Sequence, residues 1–250
     1  MDLGLQGKVA LVAGGSSGLG YAIAEGLLAE GAKVSIGARD QGRLDAAVTR
    51  LSAVGDVHGQ TVDVRDEAAV TSWVDAASRQ FGALHIVVAN AGGPPAGSAT
   101  DFDVAAYRDA VELNLLSSVS LVQHALPHLK AAGWGRVLFV TSSSVRQPIP
   151  TLALSNTARA GVVGYAKSLV SALGSGEITV NVLAPGLTRT ARLSHLYGEQ
   201  TADLGKDIPV GRVGEPEEFS AVAVFLASAR ASYVTGAVVP VDGGVTRSLL

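Results

Sequence analysis

Gly14, Gly15, Gly18 and Gly20 fall within the segment LVAGGSSGLG (11–20), directly after an apolar run and directly before the helix-compatible stretch YAIAEGLLAE. A strand that turns through glycines into a helix leaves the first N–H groups of that helix without intrahelical acceptors, and such a terminus binds phosphate. Glycine suits the turn because a Cβ would hold a pyrophosphate off the backbone, and because positive φ costs glycine little. Ser16 and Ser17 stand in the same turn, and Leu19 follows them. Other residues could do chemistry further along. Ser142-Ser143-Ser144 could include a hydroxyl that orients a substrate oxygen, or could form a strand-end turn bonded to backbone. Arg146, Arg189 and Arg192 lie on segments expected to border a pocket mouth, where they could attract a carboxylate or phosphate, or could simply be solvated. Gly93-Pro94-Pro95 would make a stiff pocket wall or a plain turn. His124 and His128 have the four-residue spacing that metal sites use. Pro127 lies between them, and no acidic or third ligand is evident nearby in the sequence, so no metal is expected.

These groups need elements to hold them. Apolar runs at 9–12, 33–38, 57–62, 84–89, 137–141, 179–184 and 238–241 read as strands. Helical stretches at 19–29, 41–52, 66–81, 103–131, 152–173 and 215–227 alternate with them. Strands alternating with helices predict an α/β fold, a doubly wound parallel sheet of about seven strands with helices on both faces. The strand runs read as uniformly apolar, as strands buried on both sides should be. Glu215-Pro216 opens the last helix, with proline near its first position. No linker, low-complexity tract or charge block interrupts the chain, so 1–250 reads as a single domain. The polar stretch at about 187–208 reads as a mobile lid, against the alternative of an ordinary long loop.

Composition narrows the function. The chain has 250 residues, 48% of them hydrophobic and 16% charged, which predicts an ordered globular protein with a sizeable core. A net charge of −3 gives no electrostatic footprint for nucleic acid. With no cysteine, disulfides and thiolate metal sites are excluded. The opening residues MDLGLQGKVALVAGG carry no basic leader or cleavage site, so no signal peptide is expected. No apolar run reaches membrane-spanning length, and a cytoplasmic protein without membrane partners is the expectation.

Several segments taken together resemble the short-chain dehydrogenase/reductase family. The spacing Gly14-x-x-x-Gly18-x-Gly20 is that family's pattern. Asp63-Val64 looks like its adenine contact and Asn90-Ala91-Gly92 like its NAG motif. Asn114 sits in a helix where the family places a structural and catalytic asparagine. Pro185-Gly186 with Thr188 and Thr190 resemble its nicotinamide-carboxamide contacts, and Val241-Asp242-Gly243-Gly244 its end segment. The matches span almost the whole chain in the right order. The resemblance implies a Rossmann-type fold, a nicotinamide dinucleotide cofactor and a small-molecule carbonyl or alcohol substrate. In relatives the helices at 103–131 and 152–173 form subunit interfaces, which implies a homotetramer or homodimer.

Charge decides which dinucleotide is favoured. The residue ending the second strand meets the adenosine ribose in such folds, and an acid there accepts from the 2′-hydroxyl and repels a 2′-phosphate. Here that region reads Ile36-Gly37-Ala38-Arg39-Asp40. Arg39 can grip a phosphate with two hydrogen bonds, and Ser16 or Ser17 could add a donor. NADP(H) is therefore favoured. NAD(H) stays possible if Arg39 is solvated and Asp40 contacts the ribose.

The resemblance fails at one place. The family carries a Tyr-x-x-x-Lys pair, in which the tyrosine exchanges a proton with the substrate oxygen. The lysine lowers that tyrosine's pKa and binds the nicotinamide ribose. Ser142 falls at the family's catalytic serine, but the usual spacing onward lands on Ser155 and Arg159. No tyrosine in the chain has a lysine four residues later. A phenol titrates near about 10, whereas a serine hydroxyl is a far weaker acid and arginine stays charged. A positioned acid contributes about 10²–10⁴ in rate, and orientation can contribute more. The loss is therefore expected to slow carbonyl reduction without necessarily abolishing hydride transfer. Ser155 could orient the oxygen while a water chain from Asn114 supplies the proton, or Tyr197 or His195 could reach in from the lid. Arg159 would anchor the ribose. The alternative is a cofactor-binding protein with little or no turnover, a sensor or assembly partner. A divergent subgroup similar to 3-oxoacyl-carrier-protein reductases shows the same Ser-x-x-x-Arg appearance and a loop resembling Gly92-Gly93-Pro94-Pro95.

Overall fold

The computed structural model describes residues 1–174, 176–198 and 204–249. Seven parallel strands form one sheet in the order β3-β2-β1-β4-β5-β6-β7. They are β1 (Val9–Ala13), β2 (Lys33–Ala38), β3 (Val57–Thr61), β4 (Ile86–Ala89), β5 (Gly135–Val140), β6 (Ile178–Pro185) and β7 (Val238–Val241). Helices α1 (Gly18–Ala29), α2 (Gln41–Leu51), α3 (Glu67–Phe81), α4 (Val104–Val111), α5 (Ser117–Ala131), α6 (Ala153–Leu173), α7 (Ala191–Tyr197) and α8 (Pro216–Ala227) surround it. The direction of winding reverses between β1 and β4, which lie side by side although two strands separate them in sequence. A doubly wound sheet binds its ligand at that reversal, beyond the carboxyl ends of the strands.

Side-chain alternation along the strands builds two cores. Ala10 and Val12 of β1 face one core with Ile23, Leu27, Leu44 and Phe219 of α1, α2 and α8. Val9, Leu11 and Ala13 face the other with Trp73, Leu121 and Val162 of α3, α5 and α6. Burial on both sides explains why β1 and β4 are apolar throughout. The edge strand departs from that expectation. β3 reads VHGQT and is only partly buried, because it has a neighbour on one side alone. Opposite it, Gly37 of β2 leaves room for Trp73, whose ring a Cβ would approach to 2.7 Å.

The long helix expected over 103–131 forms, but it is not regular α-helix throughout. It is three pieces, α4, a π-helical turn at Glu112–Leu116 and α5, and the turn contains Asn114. Hydroxyls of Ser117 and Ser118 accompany the widened turn, donating to the carbonyls of Leu113 and Asn114 at 2.5 and 2.8 Å. Such single π turns are characteristic of functional sites. The stretch expected as a lid contains α7, capped by the Thr190 hydroxyl, which accepts from Leu193 N. Residues 199–203 of that stretch lie outside the described residues. No helix among the described residues is long and apolar enough to cross a membrane.

Trp73 is fully buried and donates from Nε1 to Ser35 Oγ at 2.9 Å, tying α3 to β2. Trp73→Ala removes this ring from under Gly37, and denaturant titration is expected to show a loss of about 3–5 kcal/mol. Ser35→Ala leaves the indole N–H unpaired and is expected to cost about 1–3 kcal/mol.

Candidate active site

The glycine turn sits where the sheet reverses. Gly14 has φ +63°, and a Cβ there would lie 2.7 Å from Asn90 Nδ2. A Cβ on Gly20 would run into the Gly14 carbonyl. Asn90, just past β4, donates from Nδ2 to Ala13 O at 3.1 Å and so ties the end of β4 to the end of β1. Ser17 caps α1 with extended backbone, and its side chain accepts no hydrogen bond from the helix. The first N–H groups of α1 therefore have no side-chain cap. That is the condition for holding a phosphate there.

A cleft of about 570 Å³ runs from this turn along the carboxyl ends of the strands. Most of the residues expected from sequence line it: Gly14, Ser16, Ser17, Gly18, Leu19, Arg39, Val64, Asn90, Ala91, Gly92, Ser142, Ser155, Arg159, Pro185, Gly186, Thr188 and Thr190. Three of the expected residues do not line it. Gly20 lies under the turn and lets α1 close against Gly14. The Asp63 carboxylate is engaged by Arg65, which donates from Nε at 3.2 Å and from Nη2 at 2.7 Å and holds it below the usual carboxylate range. Asn114 is buried; its Nδ2 donates to Gly92 O at 2.8 Å, while its Oδ1 has no partner among the described residues. It acts on the cleft through Gly92.

Sequence reasoning missed part of the lining. Arg43 joins Arg39 at the end beside β2, one turn into α2, and the four-residue interval between them was the available signal. Ile149, Leu152, Leu196 and Val245 supply an apolar part. Val245 arrives because Asp242 accepts from Gly244 N at 2.9 Å and Thr246 N at 3.1 Å, folding the chain after β7 inward. Gly186 permits this approach, since a Cβ there would lie 2.7 Å from Asp242 Cα. An open helix terminus, glycines that leave no space for side chains and a cleft of this volume fit an extended dinucleotide with room for a small substrate.

At the cleft floor, Ser142 Oγ accepts from Ser144 N at 3.1 Å, so its own O–H stays available to donate. This hydroxyl completes a strand-end turn, one of the two readings of the serine cluster, and it also lines the cleft. Ser155 is buried, and its hydroxyl has no protein partner among the described residues. One helical turn later on α6, Arg159 donates from Nη1 to Val140 O at 2.9 Å and from Nη2 to Ala91 O at 3.2 Å. It thereby joins the ends of β5 and β4. Burial, followed by the neighbouring charge of Arg192, lowers its pKa to about 10, and it remains a cation at neutral pH. Tyr165 lies further along α6, packs edge-on against Phe139 at 5.9 Å and does not line the cleft. Tyr197 of α7 does line it, whereas His195 does not.

Of the three arginines expected at the pocket mouth, only Arg192 lines the cleft. Arg189 pairs with Glu215 at 2.9 Å, and Arg146 donates to Val238 O at 3.4 Å. His124 and His128 also depart from expectation, because α3 packs beside α5 and brings carboxylates to them. Glu67 lies 3.1 Å from His124, and Asp75 3.3 Å from His128. The four-residue histidine spacing belongs to a helix–helix contact, and no cluster of three or more candidate metal ligands occurs among the described residues.

Comparison with known proteins places this site in context. The profile of a family described as enoyl-(acyl carrier protein) reductase matches residues 13–246. Cis-4-hydroxycyclohexanecarboxylate dehydrogenase of Sinomonas cyclohexanicum is 36% identical over 240 residues, covering 96% of each chain. The rhamnolipids biosynthesis 3-oxoacyl-[acyl-carrier-protein] reductase of Pseudomonas aeruginosa is 35% identical over 248 residues, again covering 96% of each. L-sorbose reductase from Gluconobacter frateurii, solved with NADPH and L-sorbose, superposes with a TM-score of 0.93 at 32% identity over 100% of both chains.

The contact between Gly14 and Asn90 gives a thermodynamic signature. Gly14→Ala is expected to cost about 1–3 kcal/mol from backbone strain, with the clash against Asn90 Nδ2 added. Asn90→Ala is expected to cost about 0.5–1.5 kcal/mol through its lost hydrogen bond. Because the new methyl meets the atom that the second change removes, the double variant is expected to lose less than the sum of the two in denaturant titrations.

Proposed function

The chain belongs to the short-chain dehydrogenase/reductase family, and from that premise we propose that it is an NADP(H)-dependent oxidoreductase acting on a small carbonyl or alcohol compound. The observation that carries the reading is the cleft that joins the open α1 terminus to the Ser142, Ser155 and Arg159 cluster. Bound there, the reduced nicotinamide supplies a hydride to a carbonyl carbon. The diphosphate is taken by the first turn of α1 with Ser16 and Ser17, and Arg39 with Arg43 holds the 2′-phosphate. Asp40 is already committed, accepting from Arg43 N at 2.8 Å as the cap of α2, which weakens it as a ribose acceptor and weighs against NAD(H). Val64 borders the adenine, with Asp63 held back by Arg65, and Pro185, Gly186, Thr188 and Thr190 face the nicotinamide.

Ser142 and Ser155 donate to the substrate oxygen, and Arg159, held in place by two carbonyls, anchors the nicotinamide ribose and stabilises charge developing on that oxygen. Serine is too weak an acid to give up the proton itself. The Tyr197 phenol, which lines the cleft, can return it, and the unpartnered Oδ1 of Asn114, buried behind Gly92, could hold a water only as the inner end of a relay to the cleft. Residues 1–250 act as one unit, with the 187–208 segment as its lid. A homotetramer or homodimer is supported by the exposed Val104 and Leu116 on the helical run expected to form the interface. The absence of cysteine is compatible with a cytoplasmic location.

The experiment is a fluorescence titration with NADPH and NADH, followed by a screen of carbonyl compounds for cofactor oxidation. Tighter binding of NADPH and turnover of at least one carbonyl are expected. Binding without turnover across the panel would instead make this a cofactor-binding protein of little activity, the reading favoured by the missing phenol–lysine pair. Arg39→Ala is expected to narrow the NADPH-over-NADH preference by about tenfold or more, since it removes a charge-assisted pair worth about 1.5–3 kcal/mol. The double change Ser155→Tyr with Arg159→Lys restores a tunable phenol next to a cation. It is expected to raise kcat on simple ketones by about 10²-fold or more. No gain despite intact NADPH binding would show that the substrate oxygen does not sit against residue 155.

A further inference from the structure

The substrate end of the cleft is cationic without a counter-charge. Arg159 and Arg192 both line it, and among the described residues neither has a carboxylate partner. Arg159 is saturated on one side by the carbonyls of Val140 and Ala91. Arg192 is different. Its side chain crosses from α7 to the loop after β4, where Nη2 donates to Pro94 O. Its guanidinium lies face-on over Gly93: a Cβ there would meet Nη2 at 2.8 Å and Cζ and Nε at 3.0 Å. The group is thus fixed by a glycine that gives it room and by a single carbonyl. A guanidinium carries five N–H donors, so most of its hydrogen-bonding capacity is left for something else. Half-burial depresses its pKa without discharging it. A partly buried cation in a cleft with no carboxylate beside it leaves donors free for an anionic ligand.

We propose that Arg192 recognises a carboxylate on the substrate, so that the carbonyl compound handled in this cleft is an aliphatic oxo acid rather than a neutral ketone. This rests on the oxidoreductase reading above and adds the substrate class to it. Its planar donor edge matches a carboxylate, which accepts a bidentate pair. The surroundings complete the description: Ile149, Leu152, Leu196 and Val245 offer apolar contact to a carbon chain, while Ser142 and Ser155 hold the reacting oxygen. The diphosphate and 2′-phosphate of the dinucleotide have donors of their own at the α1 terminus and at Arg39 with Arg43, which leaves Arg192 to the substrate. In the reaction the oxo acid gains a hydride at its carbonyl carbon from NADPH and a proton at its oxygen, and a hydroxy acid and NADP⁺ leave.

The test compares 2-, 4- and 5-oxohexanoate with their methyl esters at pH 7, with NADPH, by kcat/KM. At least one acid is expected to exceed its ester by about tenfold or more, the scale of a charge-assisted hydrogen bond. Arg192→Met is expected to collapse that ratio to near one, and Arg192→Lys to restore part of it. A ratio below twofold for every pair overturns the proposal. So does an Arg192→Met protein that keeps the ratio while binding NADPH more weakly, which would make Arg192 a cofactor contact. Should no compound be reduced, the oxidoreductase reading fails on its own. The same acid-to-ester ratio is then read as dissociation constants from the protein–NADP⁺ complex by calorimetry, where equal affinities overturn the proposal and tighter acid binding upholds it.

Discussion

The site depends on how closely β1, β4 and α1 approach one another at the point where the sheet changes direction. Gly14 and Gly20 carry no side chain, so the α1 terminus can close on the β1 turn, and the Asn90 amide occupies the space that a Cβ would fill. Every ligand-facing group is referenced to that junction. Arg39 stands at the end of the strand next to β1, Arg159 reaches the carbonyls beyond β4 and β5, and Asn114 reaches Gly92, two residues after Asn90. A shift of α1 by the width of one methyl would move the open N–H groups relative to all of these.

Magnitudes explain why a buried arginine can persist in this floor. Stripping water from a cation costs several kcal/mol. Two charge-assisted hydrogen bonds to carbonyls return about 1.5–3 kcal/mol each, which roughly offsets that cost. The charge therefore survives, with a pKa near 10, but it is locked to two strand ends and has lost lysine's freedom to relay a proton. On the proposed function the consequence is a division of labour: Arg159 would fix and polarise, while proton supply would fall to groups elsewhere in the cleft.

Much of this was legible in the chain because the relevant physics is local. Apolar runs located the strands other than the polar β3, and the glycine spacing located the turn between β1 and α1, since both are set by periodicity and backbone conformation. Ser142, Ser155 and Arg159 were reachable by counting along a strand and a helix. What escaped depends on contacts between distant segments. The carboxylates of α3 beside His124 and His128, and Val245 folded in from the chain end, are tertiary facts without a sequence period, whereas the pairing of Asp63 with Arg65, two residues on, is local and was within reach of the sequence. The polar character of β3 was visible in its residues, but its place at the sheet edge was not.

The π turn at Glu112–Leu116 amounts to one surplus residue accommodated in a helix that would otherwise run straight from α4 into α5. Each residue of an α-helix advances the face by about 100°. Losing that residue would let the helix run on as regular α-helix with the apolar stripes on either side still in phase, and would narrow the turn that presents Asn114 to Gly92. The surplus residue thus shapes the wall of the cleft, while the packing of α4 and α5 does not require it.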